Sequence, residues 1–395
     1  MEKPVIIYVG AFELPNKNAA AHRVISNGKI LRELGYEVVF LGVNKSIDPE
    51  GLTKEESFFG FDCWSVPYPN NLVNWVKQIT EITALKGLVS GYYQGRIACV
   101  IHYNSPAIVQ FRALRFCNKN NIKHIADITE WYDTSAGPLL RRLIKKFDTA
   151  LRMYCVNRLE DGLITTSRYI TKYYGKYNKN IVELPTLFDC EEMKFEGGES
   201  SGKGVSNLIY VCSPLTARMV NKKRTNLKER LDVLVSSVIK ANGNGCEVFL
   251  NIYGNTLAEF LGVFPEFSIN IDSISKSIKF HGLTENSKVR MAIAKADCSV
   301  FFRDENRVTL AGFPGKLSES ISIGTPVIMS DSVNFSGMDK AGIFLVRKGG
   351  ELEGIEAFSQ LTRLEKELIR LEVKRDSLYD YSNYIPEVKC FIEKL

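Results

Sequence analysis

No apolar run in this 395-residue chain approaches the roughly 18 residues needed to cross a bilayer, which excludes a helical membrane span by sequence. Residues 1–10 also lack the long apolar core and small-residue cleavage site of a secretory signal. A cytoplasmic protein is expected, at most peripheral on the inner face of the cell membrane. Histidine is scarce, with four residues, and the nine cysteines are scattered, odd in number and without a C-x-x-C pair. That pattern speaks against a structural zinc site or a disulfide framework and for reduced, buried thiols. The net charge of +6 is too modest to argue for nucleic-acid binding.

What is present is alternation. Apolar runs at 5–9, 38–43, 99–102, 124–128, 162–166 and 181–184 read as strands, with amphipathic segments near 18–34, 105–119 and 167–175 as helices between them. A polar glycine and serine run at 197–204 reads as a linker. Beyond it strands are expected at 208–212, 248–253, 278–281, 299–302 and 327–330, and helices near 227–241, 284–296 and 315–323. The tail carries Leu361, Leu364, Leu368 and Leu371 at helical spacing and is expected to pack as an ordinary domain helix. The predicted class is α/β, two Rossmann-like doubly wound domains facing across a cleft. Residues 1–190 form the first, 191–205 the linker and 206–370 the second, with 371–395 a closing helix that returns to the first.

Ligands of such sheets bind where the strands end, so the loops beginning at Gly10, Asn104, Glu130, Ser213, Gly254, Arg303 and Gly312 are the candidate lining. The densest signal is Gly312-Phe313-Pro314-Gly315-Lys316-Leu317-Ser318-Glu319, followed by Gly324 and an apolar run. It reads as a loop able to aim backbone NH groups at an anion, with Pro314 at the first helical position. Lys316 and Glu319, three residues apart, share one helix face, a cation for phosphate beside a carboxylate for sugar hydroxyls. The competing reading is an ordinary turn with Lys316 solvated and Glu319 capping a neighbour.

The ordered set of segments resembles the retaining glycosyltransferases of family 4, which have the GT-B fold. It comprises the opening strand and Gly10 loop, residues 127–132, residues 161–167, Lys228-Glu229-Arg230-Leu231-Asp232, Phe280-His281-Gly282, Ala296-Asp297 and the block from Gly312 to Ile328. The resemblance implies a nucleotide-diphosphate sugar donor, no required cofactor, and a saccharide or lipid-linked acceptor in surface polysaccharide assembly. Lys228 matches the family lysine that grips the donor diphosphate, and Arg218 the arginine upstream. Glu319 matches the second glutamate of the E-x7-E motif, which holds the ribose. Where the first glutamate belongs, this sequence has Ala311, a departure that bears on the sugar contact and motivates an alternative, a non-catalytic nucleotide- or saccharide-binding scaffold. Fixed cations stabilise a departing diphosphate most, and Lys228, Lys316 and Arg218 would supply them. The sequence has no D-x-D pair of the kind that holds a divalent metal there.

On the acceptor side, Asp127 and Glu130 follow a buried strand and either orient an acceptor hydroxyl or cap local turns. His22, His102 and Asn104 lie near the same strand ends, the histidines being structural groups or acceptor contacts. Finally, Leu140, Leu143, Ile144, Phe147, Leu151 and Tyr154 make one helical stripe flanked by Arg141, Arg142, Lys145, Lys146 and Arg152. Such a helix either lies in an anionic membrane surface or turns its stripe to the core.

Overall fold

The computed structural model describes residues 2–15, 18–47, 51–134, 139–193, 204–215, 227–338 and 340–395. Most of the segment read as a linker, and Arg218, lie outside the described residues. Contacts divide the chain into two units, one of Met1–Phe188, Leu310–Phe313 and Asp380–Leu395, the other of Asp189–Thr309 and Pro314–Tyr379.

The first unit runs β1 (Val5–Gly10), α1 (Ala19–Glu33), β2 (Glu37–Asn44), β3 (Thr53–Lys54), β4 (Asp62–Pro67), α2 (Leu72–Thr80), α3 (Thr83–Gly87), β5 (Ile97–Tyr103), α4 (Ala107–Lys119), β6 (Lys123–Ile128), α5 (Leu139–Tyr154), β7 (Gly162–Thr165), α6 (Arg168–Tyr174) and β8 (Ile181–Glu183). The sheet order is β3-β4-β2-β1-β5-β6-β7-β8, parallel except for β3. Its central strands are near-continuous apolar runs because both faces are covered. Ile6, Tyr8 and Phe40 pack toward α1 on one face, and Ile7, Val39 and Val100 toward α3 and α4 on the other. The weakly patterned segment 51–96, unassigned by the sequence reading, supplies β3, β4, α2 and α3. Gly10 is required because β5 runs so close that a Cβ would lie 2.8 Å from the Tyr103 Cβ.

The second unit runs β9 (Ser206–Val211), α7 (Leu231–Gly243), β10 (Val248–Tyr253), α8 (Leu257–Val263), α9 (Ile271–Ser277), β11 (Ile278–Phe280), α10 (Asn286–Lys295), β12 (Cys298–Phe301), α11 (Arg307–Ala311, whose last two residues count with the first unit), α12 (Gly315–Ile323), β13 (Val327–Ser330), β14 (Ile343–Val346), α13 (Glu351–Ser359) and α14 (Arg363–Asp376). Its sheet is wholly parallel in the order β11-β10-β9-β12-β13-β14. Chain order reverses between β9 and β12, the switch point at which open α/β sheets bind ligands.

The leucine stripe of the tail departs from expectation. Leu364, Leu368 and Leu371 of α14 are exposed, and the helix buries Lys366 and Val373 instead. Polar anchors hold it this way round: the Lys366 ammonium donates to Ser206 Oγ at 2.7 Å, and the Arg370 guanidinium donates to the Ala294 and Ala296 carbonyls at the end of α10. The chain then leaves the second unit after Tyr379. The final helix, α15 (Ile385–Ile392), packs against α1 and β8, its Phe391 ring seated over Gly162, where a Cβ would come within 2.7 Å.

Candidate functional site

At the β9/β12 switch point a buried carboxylate gathers two cations. Glu229, just before α7, is paired with the Lys316 ammonium from the first turn of α12 and, at 2.7 Å, with the Arg303 guanidinium from the end of β12. The Tyr210 hydroxyl of β9 donates to the same carboxylate at 2.8 Å. Four residues distant in sequence therefore converge because β9 and β12 end, and α7 and α12 begin, on the same side of the sheet. Burial alone would raise the Glu229 carboxyl, but Lys316 and Arg303 outweigh it and hold the group well below the usual carboxylate range. Burial pulls Lys316 below the ordinary lysine range, opposed by Glu229 and reinforced by Arg303. Burial beside Glu229 pushes Tyr210 far up, so the phenol stays a neutral donor. One anion against two cations leaves a net positive charge, an arrangement suited to a further anion.

Lys316 and Glu319 do share a face. Both border a small cavity floored by Ile209, Val211 and Phe301. Neither is solvated in the way of an ordinary turn: Lys316 is paired with Glu229, and Glu319 accepts from the Arg290 Nε of α10 at 3.0 Å. Lys228 is half-buried one residue before Glu229, and Ser213 lies exposed just past β9. Gly254 closes β10 at φ +100°, where a Cβ would fall 1.7 Å from the Cys212 carbonyl oxygen, so only glycine fits.

The loop before α12 runs from Gly312 to Pro314, as expected, and the unpredicted helix α11 precedes it. Pro314 caps α12 one residue ahead of the expected position. Leu317 and Ala311 have fully buried side chains. Ala311 itself belongs to the first unit, where it packs with Ala126, Ile128 and Met153, and its carbonyl accepts from Ser167 Oγ at 2.9 Å. A glutamate there would bury its carboxylate among apolar groups, a physical reason for alanine at this position.

The acceptor-side candidates separate into two sets. Asp127 is fully buried: Arg23 Nη2 lies 2.7 Å from Oδ1, Tyr8 donates to Oδ2 at 2.5 Å, and Arg23 also donates to the Leu184 and Pro185 carbonyls. It neither caps a turn nor meets solvent. His102 is likewise buried, its Nδ1 2.8 Å from Ser105 Oγ and its ring 4.8 Å from that of His124, whose Nδ1 pairs with Glu160. His22 is half-buried with its ring near Phe188. Asn104 and Glu130, by contrast, stand partly open at the ends of β5 and β6. Asn104 adopts φ +44° and is braced by Thr129, which donates its backbone NH to Oδ1 at 3.1 Å. Glu229, Tyr210 and Arg290 escaped the sequence reading. Glu229 lies within the quoted 228–232 motif, yet nothing local marks it as the buried member.

Burial, and secondarily His124, holds the His102 pKa well below the free value of 6.5. As pH falls the unfolded chain therefore protonates first, so the stability that neutral His102 contributes is complete above about 6.5 and declines below it. Urea titrations between about pH 7 and 5 should show a shallower acid loss for His102→Gln than for the parent. An unchanged slope would contradict this assignment.

Two doubly wound parallel units in one chain define the class as a GT-B fold. No family model and no curated protein sequence matches the chain. Among solved structures, starch synthase IV of Arabidopsis thaliana, bound to ADP and acarbose, aligns with TM-score 0.65 at 9% identity over 100% of this chain and 99% of its own. Sucrose-phosphate synthase of Thermosynechococcus elongatus aligns with TM-score 0.62 at 12% identity over 99% of both chains. HepE of Anabaena, in complex with UDP and glucose, gives 0.61 at 11% identity over 99% and 100%.

Proposed function

We propose that the chain is a family 4-like retaining glycosyltransferase that moves a sugar from a nucleotide-diphosphate donor to a saccharide or lipid-linked acceptor in surface polysaccharide assembly. The observation that carries this reading is the pair of cations, Lys316 and Arg303, gathered by Glu229 at the switch point of the second sheet. UDP and ADP in the similar structures of HepE and starch synthase IV support the donor class.

In this reading the donor diphosphate lies against Lys316, Arg303 and Lys228, and Glu319 accepts from the ribose hydroxyls with the lone pairs Arg290 leaves open. The bond from the anomeric carbon to the phosphate oxygen breaks, and the acceptor oxygen bonds to the same carbon on the same face. The departing phosphate takes the acceptor proton, so no protein nucleophile is needed. Negative charge grows on the diphosphate during this step, and the preorganised cations meet it there. Asn104 and Glu130 of the first unit are the acceptor-side groups.

A thermal-shift panel of nucleoside diphosphates and their sugars tests the donor site. At about 100 times its dissociation constant a donor adds about 2.7 kcal/mol of stability. The melting point should rise for one nucleotide base and not respond in Glu319→Ala. No response to any donor would overturn the proposal.

A further inference from the structure

An amphipathic helix of a globular unit ordinarily turns its apolar stripe to the core, and α5 does the opposite. Leu139, Leu140, Leu143 and Phe147 are 69, 68, 56 and 67% exposed. The residues that α5 buries are Thr149, Arg152 and Met153, so Arg152 is a core group stacked on Tyr132 and not the flanking surface cation the sequence suggested. At about 100° per residue the exposed stripe is bordered by Lys146 and Arg142 on one side and Arg141 on the other.

Two more helices continue the surface, since α5 packs beside α4 and α4 beside α2. Helix α2 buries no residue and exposes Leu72, Val73 and Val76. Helix α4 exposes Ile108 and Phe111. The charge around these groups has one sign: Lys77 on α2, Arg112, Arg115 and Lys119 on α4, and Arg141, Arg142, Lys145 and Lys146 on α5 are all exposed. The sole carboxylate on the three helices, Asp148, is turned inward and accepts from the Ala107 backbone at 2.7 Å.

We infer that α2, α4 and α5 form one platform that docks on an anionic lipid bilayer. A broad apolar patch rimmed by cations, on three helices with no exposed carboxylate inside them and only Glu81 exposed at the end cap of α2, matches acyl chains beneath anionic headgroups. The inference deepens the proposed function by naming where a lipid-linked acceptor is met, while the docking itself needs no donor.

Co-sedimentation of the full chain with vesicles of phosphatidylcholine, alone or mixed with phosphatidylglycerol, tests it. Binding is expected only to the mixed vesicles and should weaken as salt is raised. Replacing Arg141, Arg142, Lys145 and Lys146 together by glutamine should lower partitioning at least about 100-fold, each cation contributing about fivefold. Replacing Leu72, Val73 and Val76 by glutamine should also lower it, which distinguishes the platform from a single helix. All seven positions are on the surface, and circular dichroism checks that the variants fold. Absent binding to anionic vesicles, or binding unchanged in the quadruple variant, would overturn the inference. So would a dimer in light scattering that Leu143→Asp dissolves, since that face would then belong to a second copy. Donor hydrolysis without vesicle binding sinks the docking alone; vesicle binding without donor recognition sinks the transferase reading alone.

Discussion

Asp127→Ala is expected to destabilise the first unit by about 3–5 kcal/mol, the cost of leaving one partner of a buried ion pair uncompensated. Arg23 is only 3% exposed and has no route to water once the carboxylate is gone. Its remaining partners are the carbonyls of Leu184 and Pro185 and the Thr166 hydroxyl, which stabilise a cation far less than a carboxylate does. Tyr8, pushed up by burial and by Asp127, would lose its acceptor as well. Against a total stability of about 5–15 kcal/mol such a loss lowers the urea midpoint steeply. Arg23→Ala should cost a similar amount. The double variant Arg23→Met, Asp127→Leu should cost less than the two singles together, because no orphaned charge remains. A melt unchanged in Asp127→Ala would refute the structural role; an unchanged melt with lost transfer would instead favour acceptor orientation.

Lys316→Ala is expected to lower donor hydrolysis and transfer by about 100- to 1,000-fold, the usual cost of removing one preorganised group from a site of developing charge. Stability should fall less than for Asp127→Ala, since Glu229 keeps Arg303 and Tyr210 as partners. The parent should lose activity on the alkaline side at a pH below the ordinary lysine range, because burial favours the neutral amine. Thermal shifts by donor should shrink in parallel. Retention of activity to within about threefold would reduce the Lys316–Glu229 pair to a packing device.

The two variants probe residues whose legibility in sequence differed. Lys316 was marked by the glycine-rich run before it and by Glu319 on the same helix face, both local features. Its partner Glu229 stands 87 positions away and was hidden beside Lys228. Asp127 looked like a strand-end carboxylate open to an acceptor, and the structure encloses it because Arg23, on the buried face of α1, comes to lie over the end of β6. Ala311 read as a missing glutamate and proves to be a small residue in a packed cluster.

All strands but β3, β4 and β14, and the helices with the clearest periodicity, follow from the sequence by itself, because runs of apolar residues and a period near 3.6 are short-range properties of the chain. The orientation of amphipathic faces does not. The stripes of α5 and α14 were both legible, yet both point outward, since polar anchors such as Lys366, Arg370 and Arg152 decide which side meets the unit. Only tertiary structure settles that choice, and only the strand order β11-β10-β9-β12 brings Tyr210, Glu229, Arg303 and Lys316 to one edge. Periodicity determines that a face exists; long-range packing determines what it faces.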